Sequence, residues 1–313
     1  MFAAGAVQLL WVWWFAWRAK LLPNLRAPKL TAPIRHFFKL LGPAALGAGV
    51  AQVNLLIDIV LASLFAEGVS YLYFADRLNQ LPIGVIGVAV GTALLPSLSR
   101  YYKLADMDAA NAQLNRGVEL VLLFALPAMV AFLIIPDLLV SVLYQHGAFD
   151  ETDAIATYQA LMAYALGLPA FLLIKVFAPG FFANEDTKTP FYIALVCVSV
   201  NLIGNLILMQ YFEHVGLALA TSLSGWLNAG LMGLILYRRK LFHLDTNAQK
   251  RLPRFLLASL LMGGALFAGR VLNLPEMLHL GLLVIGGGAV YGAFVIATGA
   301  MRPAEIKRYL RKQ

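Results

Sequence analysis

Apolar runs of about twenty residues, separated by short polar loops, recur along the whole sequence and leave little choice of fold. A helix of that length spans about 30 Å of hydrocarbon, and it satisfies its own backbone N–H and C=O groups where no water can do so. Hydrophobic residues make up 61% of the 313 and charged residues 13%, whereas a soluble domain is about 45–50% apolar and about 25% charged. The expected class is an all-α, polytopic membrane protein. Nine spans are expected, at 2–17, 40–65, 71–98, 117–144, 154–182, 190–211, 215–237, 253–273 and 277–300.

The positive charge lies in alternate loops. One set holds Arg18, Lys20, Arg26, Lys29, Arg35 and Lys39, then Arg100, Lys103 and Arg116, then Lys188, then the run from Arg238 to Arg254, and finally the basic tail 302–313. The opposite loops carry Glu67, Asp150, Glu151, Asp153, Glu213 and Glu276, with no Lys or Arg. Basic loops stay on the cytoplasmic side during insertion, so residue 1 is expected outside and Gln313 inside. The net charge of +8 therefore speaks for a membrane surface and not for nucleic acid, which needs basic residues gathered beside stacking aromatics. Trp11, Trp13, Trp14 and Trp17 read as an interfacial belt ahead of the first basic loop.

Residues 2–17 are uncharged and are followed by Arg18 and Lys20, the reverse of a signal peptide. The chain is thus expected to open inside a span and to be part of a longer protein. The glycine-rich spans after the longest basic loop, with Gly263, Gly264, Gly269, Gly281 and Gly286 to Gly288, suggest an appended pair beside a six-helix unit. The expected organisation is a helix and basic linker at 1–39, six helices at 40–240, the appended pair at 241–301 and a basic cytoplasmic tail at 302–313.

Ionisable groups within a span cost about 2.5–3.5 kcal/mol on insertion scales and mark function by default. Asp76 and Arg77 lie in the third span, where Tyr73, Arg77 and Gln80 share a helix face. A guanidinium there suits a phosphate, which it grips through two N–H donors; the alternative is a side chain reaching out to the interface. Lys175, within Lys175-Val176-Phe177-Ala178-Pro179-Gly180-Phe181-Phe182, admits the same two readings. For Arg270, near a span end, reaching the interface is the expectation. Asn54 and Asp58 share a face, Asn201 and Asn205 repeat that spacing, and Thr221 follows. Asp58, Asn201, Asn205 and Thr221 are expected to converge on a coupling-ion site for a monovalent cation or proton, with interhelical hydrogen bonding as the alternative.

Enzyme signatures are missing from the sequence. The five histidines form no HExxH, the single Cys197 supports neither a disulfide nor a cysteine metal site, and neither a GxSxG elbow nor a Walker loop occurs. No cofactor and no metal centre are expected, and transport is the remaining chemistry.

The segments that carry a resemblance are Phe74-Ala75-Asp76-Arg77-Leu78-Asn79-Gln80-Leu81-Pro82, Gln145-His146-Gly147-Ala148-Phe149-Asp150, Lys175 to Phe182, Asp186-Thr187-Lys188-Thr189-Pro190 and Gly216 to Ser222. In this order they resemble the C-terminal portion of the MurJ/MviN lipid II flippase family. The resemblance implies a MATE-like helical bundle of the multidrug/oligosaccharidyl-lipid/polysaccharide superfamily, with this chain holding one helix of the first lobe, the second lobe and the appended pair. It also implies a bacterial inner membrane, an undecaprenyl-pyrophosphate-linked cell-wall precursor as substrate, and alternating access as mechanism. Asp76 and Arg77 match the family's acidic and basic cavity pair; from the reading of the residues themselves, Gln80 and Lys175 are further candidate substrate contacts. The rest of the first lobe, with further cavity arginines, lies outside this sequence. The competing expectations are an exporter of another polyprenyl-linked saccharide or of a drug, and a non-transporting membrane remnant or scaffold.

Overall fold

The computed structural model describes residues 2–21, 31–272 and 274–300, and among them the regular structure is helical. The basic linker residues Arg26 and Lys29 and the tail 302–313 lie outside the described residues. The chain divides into two compact units, Met1–Lys39 and Leu40–Gln313. The first contains α1 (Phe2–Arg18), whose tryptophans stand exposed, Trp14 and Trp17 packing ring on ring at 5.9 Å. α2 runs Ala32–Ala62.

The second unit continues with α3 (Gly68–Pro82), a π-helical turn (Ile83–Gly87) and α4 (Val88–Lys103), which follow one another without a break. Then come α5 (Met107–Ile134), α6 (Pro136–Tyr144), α7 (Glu151–Phe182), α8 (Lys188–Arg238), α9 (Thr246–Gly269) and α10 (Glu276–Ala297). Among the described residues, seven helices are long and apolar enough to cross a membrane. The longest of them, the 51-residue α8, breaks at Glu213, where φ is 50° and ψ −131°. Its limbs run antiparallel: the Ser224 hydroxyl donates to the Cys197 carbonyl at 2.9 Å, Asn201 to the Thr221 hydroxyl at 3.3 Å, and a Cβ on Gly204 would stand 3.2 Å from that of Ala220. The expected spans 190–211 and 215–237 are these two limbs.

One expected span is corrected. The segment 117–144 is two helices, because Pro136 has no N–H to continue α5 and instead starts α6. α5 begins ten residues earlier, where the Asp106 carboxylate accepts from the Ala109 N–H. The break leaves the Ile134 carbonyl open, and Arg270 donates to it at 2.6 Å while pairing with Asp137. Arg270 is thus committed to the protein and does not simply reach outward.

α7 is the central helix, with Leu161, Leu168, Leu172, Val176 and Phe181 all fully enclosed. Capping at its start is reciprocal, Asp150 accepting from the Asp153 N–H and Asp153 from that of Asp150. The pair α9 and α10 packs on α5 through small residues: a Cβ on Gly263 would meet Val130 at 2.7 Å, one on Gly287 Leu266 at 2.8 Å. Gly264, Gly281, Gly286 and Gly288 meet nothing within 4 Å, so only part of the glycine content serves contact.

A polar clamp ties the loop after α8 to α5. Asn111, Asn115 and Glu119 stand one turn apart on one face, and each is buried. Asn111 accepts from the His243 N–H at 2.9 Å, Asn115 donates to the His243 carbonyl at 2.9 Å and accepts from the Asp245 N–H at 3.1 Å, and Arg251 donates to Glu119 at 2.8 Å. Asn115→Ala strips two backbone groups of their partner and is expected to destabilise the chain by about 2–3 kcal/mol. Thermal unfolding in detergent, together with faster proteolysis at 241–245, checks this; unchanged values for both would contradict it.

The same end carries a second latch. Asp186 accepts from the Thr189 hydroxyl at 2.6 Å and from Arg239 at 2.5 Å, joining the start of α8 to its end. Burial pulls the Asp186 carboxyl up, but the hydrogen bonds from Thr189 and Arg239 outweigh it and hold it below its ordinary 3.8. A carboxyl depressed on folding stabilises above its unfolded value and loses that contribution as pH falls through the folded one. Thermal stability is therefore expected to decline as pH drops below about 3.8, and Asp186→Asn should flatten that acid limb; equal limbs for both proteins would refute the latch.

Candidate functional site

Two polar clusters occupy the second unit. The first lies on α3. Leu72, Ala75, Leu78 and Asn79 turn into the core, which leaves Tyr73, Arg77 and Gln80 on the exposed face. Arg77 donates to the Tyr73 hydroxyl at 2.9 Å, and its guanidinium carbon stands 4.6 Å from the centre of that ring. Half-buried Asp76 takes its hydrogen bond from Gln80. The two charges are thus each held by a neighbour one turn away instead of by each other. A tyrosine spends one guanidinium N–H and no charge, so the remaining donors and the full positive charge stay available to an anion.

Lys175 is exposed on α7 and does not join that pair. Its stem lies along the π-helical turn, where a Cβ on Gly87 would come within 3.2 Å of Lys175 Cγ and of Leu172. A side chain at this point would have to push these two side chains aside, so glycine suits the close approach of α7. Gly87 is ten residues beyond Arg77, about 15 Å along the axis, so the two cations would touch different parts of a large ligand. Pro82 supplies no N–H and the chain takes an extra residue into the following turn. The expected loosening by Pro82 and the glycines is therefore a local widening inside a continuous helix.

The second cluster gathers all four residues expected at the coupling-ion site. Asn205 donates to Asp58 at 2.7 Å and to the Asn201 side-chain oxygen at 3.0 Å; the Thr221 hydroxyl lies 3.4 Å from Asp58. Asn54 adds a donor to Asp58 at 3.4 Å. Turned over, the Asn201 amide donates to the Asn54 side-chain oxygen at 2.9 Å and to Asp58 at 3.2 Å, and accepts from the Thr221 N–H at 3.2 Å. α2 thus meets both limbs of α8 here. Asn201 and Asn205 are 1% and 0% exposed, yet Asn205 Oδ1 has no hydrogen-bond partner. A buried oxygen left in that state costs free energy unless a cation or proton donor meets it.

Sequence reasoning missed Tyr164. It is buried on α7, and its aromatic ring in an apolar run carried no signal. It also missed Asn111, Asn115 and Glu119, although their fourfold spacing was visible.

The family model described as Lipid II flippase MurJ matches residues 1–286. The chain is 37% identical to a probable lipid II flippase MurJ of Rhizobium tropici over 99% of its own length and 60% of that protein's. It is 38% identical to the one of Rhizobium meliloti (strain 1021), with the same coverage of each. The chain thus spans about three fifths of the length of these relatives. Among solved structures, a lipid II flippase MurJ in an inward closed conformation superposes with a TM-score of 0.72 at 29% identity, over 87% of this chain and 56% of that one. An outward-facing multidrug resistance MATE family transporter of the MOP superfamily gives 0.56 at 16% identity, over 84% and 64%, and shares the fold alone. With helices, motifs and relatives in agreement along nearly its whole length, the chain belongs to the lipid II flippase MurJ family.

Proposed function

We propose that this chain is the larger, C-terminal part of a flippase that moves the undecaprenyl-pyrophosphate-linked peptidoglycan precursor, lipid II, across a bacterial inner membrane. The observation that carries this is Arg77, whose guanidinium stands accessible on α3 beside the neutral Tyr73 while Gln80 occupies Asp76. An accessible guanidinium within a span is costly unless an anion uses it, and a lipid diphosphate brings both the anion and a tail soluble in the surrounding bilayer. The missing first lobe is expected to complete the cavity, because alternating access needs two halves that rock against each other. The alternation of basic loops supports a cytoplasmic C-terminus.

The Asp58–Asn201–Asn205–Thr221 cluster serves, in this proposal, as the site of the coupling monovalent cation or proton. Its oxygens come from three helical segments, so filling it favours one arrangement of α2 against the two limbs of α8. Export of a cationic drug is the poorer reading, since Arg77 would repel it. The deciding experiment supplies the full-length gene to cells depleted of their own lipid II flippase. Restored growth is expected, and continued lysis with the protein present in the membrane would reject the assignment.

A further inference from the structure

At the far end of the same helix that carries Arg77, a groove of about 510 Å³ is lined by Pro96, Ser99, Arg100, Lys103 and Leu104. Arg100 and Lys103 are exposed, and among the described residues neither has an ion-pair partner. The nearby carboxylate of Asp106 is occupied in capping α5. The groove therefore offers two uncompensated cations and a hydroxyl, a donor set that fits the oxygens of a phosphate ester or diphosphate.

The π-helical turn gives this end its direction. In an unbroken α-helix Arg100 and Lys103 would lie about 140° and 80° around the axis from Arg77. One extra residue accommodated at Ile83–Gly87 brings them to within about 40° and 20° of it. Exposure follows that phase: Arg77, Gln80, Thr92, Pro96, Arg100 and Lys103 all stand on the accessible side, while Gly87, Val90, Leu94 and Leu98 are buried behind them. The two basic positions are thus at opposite ends of one face, roughly 39 Å apart at 1.5 Å per residue. A 39 Å gap is too long for one diphosphate to touch both.

We infer that the Arg100–Lys103 groove is a loading site for the diphosphate head of a polyprenyl-linked lipid on the side where the basic loops lie, used before that head reaches Arg77. This rests on the proposed flippase reading and assigns to it a second anion site. The buried side of the same helix, around Gly87, packs against α7, whose exposed Lys175 lies beside the bulge.

The test measures binding of undecaprenyl diphosphate to the chain in phosphatidylcholine nanodiscs at low salt by microscale thermophoresis, with inorganic pyrophosphate and phosphatidylglycerol as separate ligands. Arg100→Gln with Lys103→Gln is expected to weaken undecaprenyl diphosphate by about tenfold or more, two charge-assisted contacts being lost. The charge-preserving exchange Arg100→Lys with Lys103→Arg should recover most of the affinity, which separates loss of the site from loss of the fold. If Arg77→Gln weakens binding and the double variant stays within twofold of the parent chain, the groove is not the loading site, although the role of Arg77 stands. If phosphatidylglycerol or pyrophosphate binds as tightly as the polyprenyl diphosphate, the groove takes any anionic lipid or free anion and the inference is overturned. If the parent chain binds none of the three, the loading site is overturned, whereas the flippase reading stands or falls on complementation by the full-length gene, whose first lobe completes the cavity.

Discussion

Replacing Arg77 by alanine in the full-length gene is expected to abolish growth when the resident flippase is depleted. The side chain is accessible, charged and partnered only by a neutral tyrosine, so its loss takes nothing from the core and leaves no buried group stranded. What disappears is a forked donor for an anion. Charge-assisted hydrogen bonds are worth about 1.5–3 kcal/mol each, so losing even one of the fork's two bonds reduces capture of the diphosphate by about 10- to 100-fold. Arg77→Lys keeps the charge and loses the planar fork, and should fall between the two. Tyr73→Phe keeps the ring beneath the guanidinium and should cost much less. Normal growth of Arg77→Ala at equal membrane abundance would remove the chemical centre of the proposed function.

Asp58→Asn is expected to erase cation dependence while leaving the fold intact. The carboxylate is the only full charge in a cluster whose other oxygens are amides and a hydroxyl, and asparagine matches its shape. A bound cation at about 100 times its dissociation constant stabilises by about 2.7 kcal/mol, a rise of order 5 °C in the unfolding midpoint of a chain this size. Sodium is therefore expected to raise the midpoint of the unaltered chain above that in choline, and Asp58→Asn to cancel the rise; a parallel titration with acid separates a proton from a metal cation. An equal rise in the variant would dismiss Asp58 as a ligand. No rise in either protein, at any pH, would reduce the cluster to interhelical hydrogen bonding.

Several features were legible because they depend on short-range rules. The helices follow from runs of apolar residues, since lipid leaves the backbone no other partner. The pairing of Arg77 with Tyr73 and of Asn54 with Asp58 follows from fourfold spacing on one helix. The break at Pro136 was equally local and was overlooked because the apolar run continues across it. Lys175 shows the limit: its motif marked it as a functional candidate, yet its position beside Gly87 depends on a contact between α7 and a turn almost ninety residues earlier.

By itself, then, the sequence determined the solvent, the helical class, the family and the identity of the charged groups that hydrocarbon would not tolerate without cause. Only the tertiary structure decided that Asp58, Asn201, Asn205 and Thr221 meet, that Asn205 keeps a buried oxygen unpaired, that Arg270 is tied to Ile134 and Asp137, and that an inserted residue aligns Arg100 and Lys103 with Arg77. The physical reason is range. Backbone satisfaction and helix-face neighbours act over three or four residues, whereas side-chain convergence between helices depends on rotation about each axis, which a single extra residue in one turn resets by about 100°.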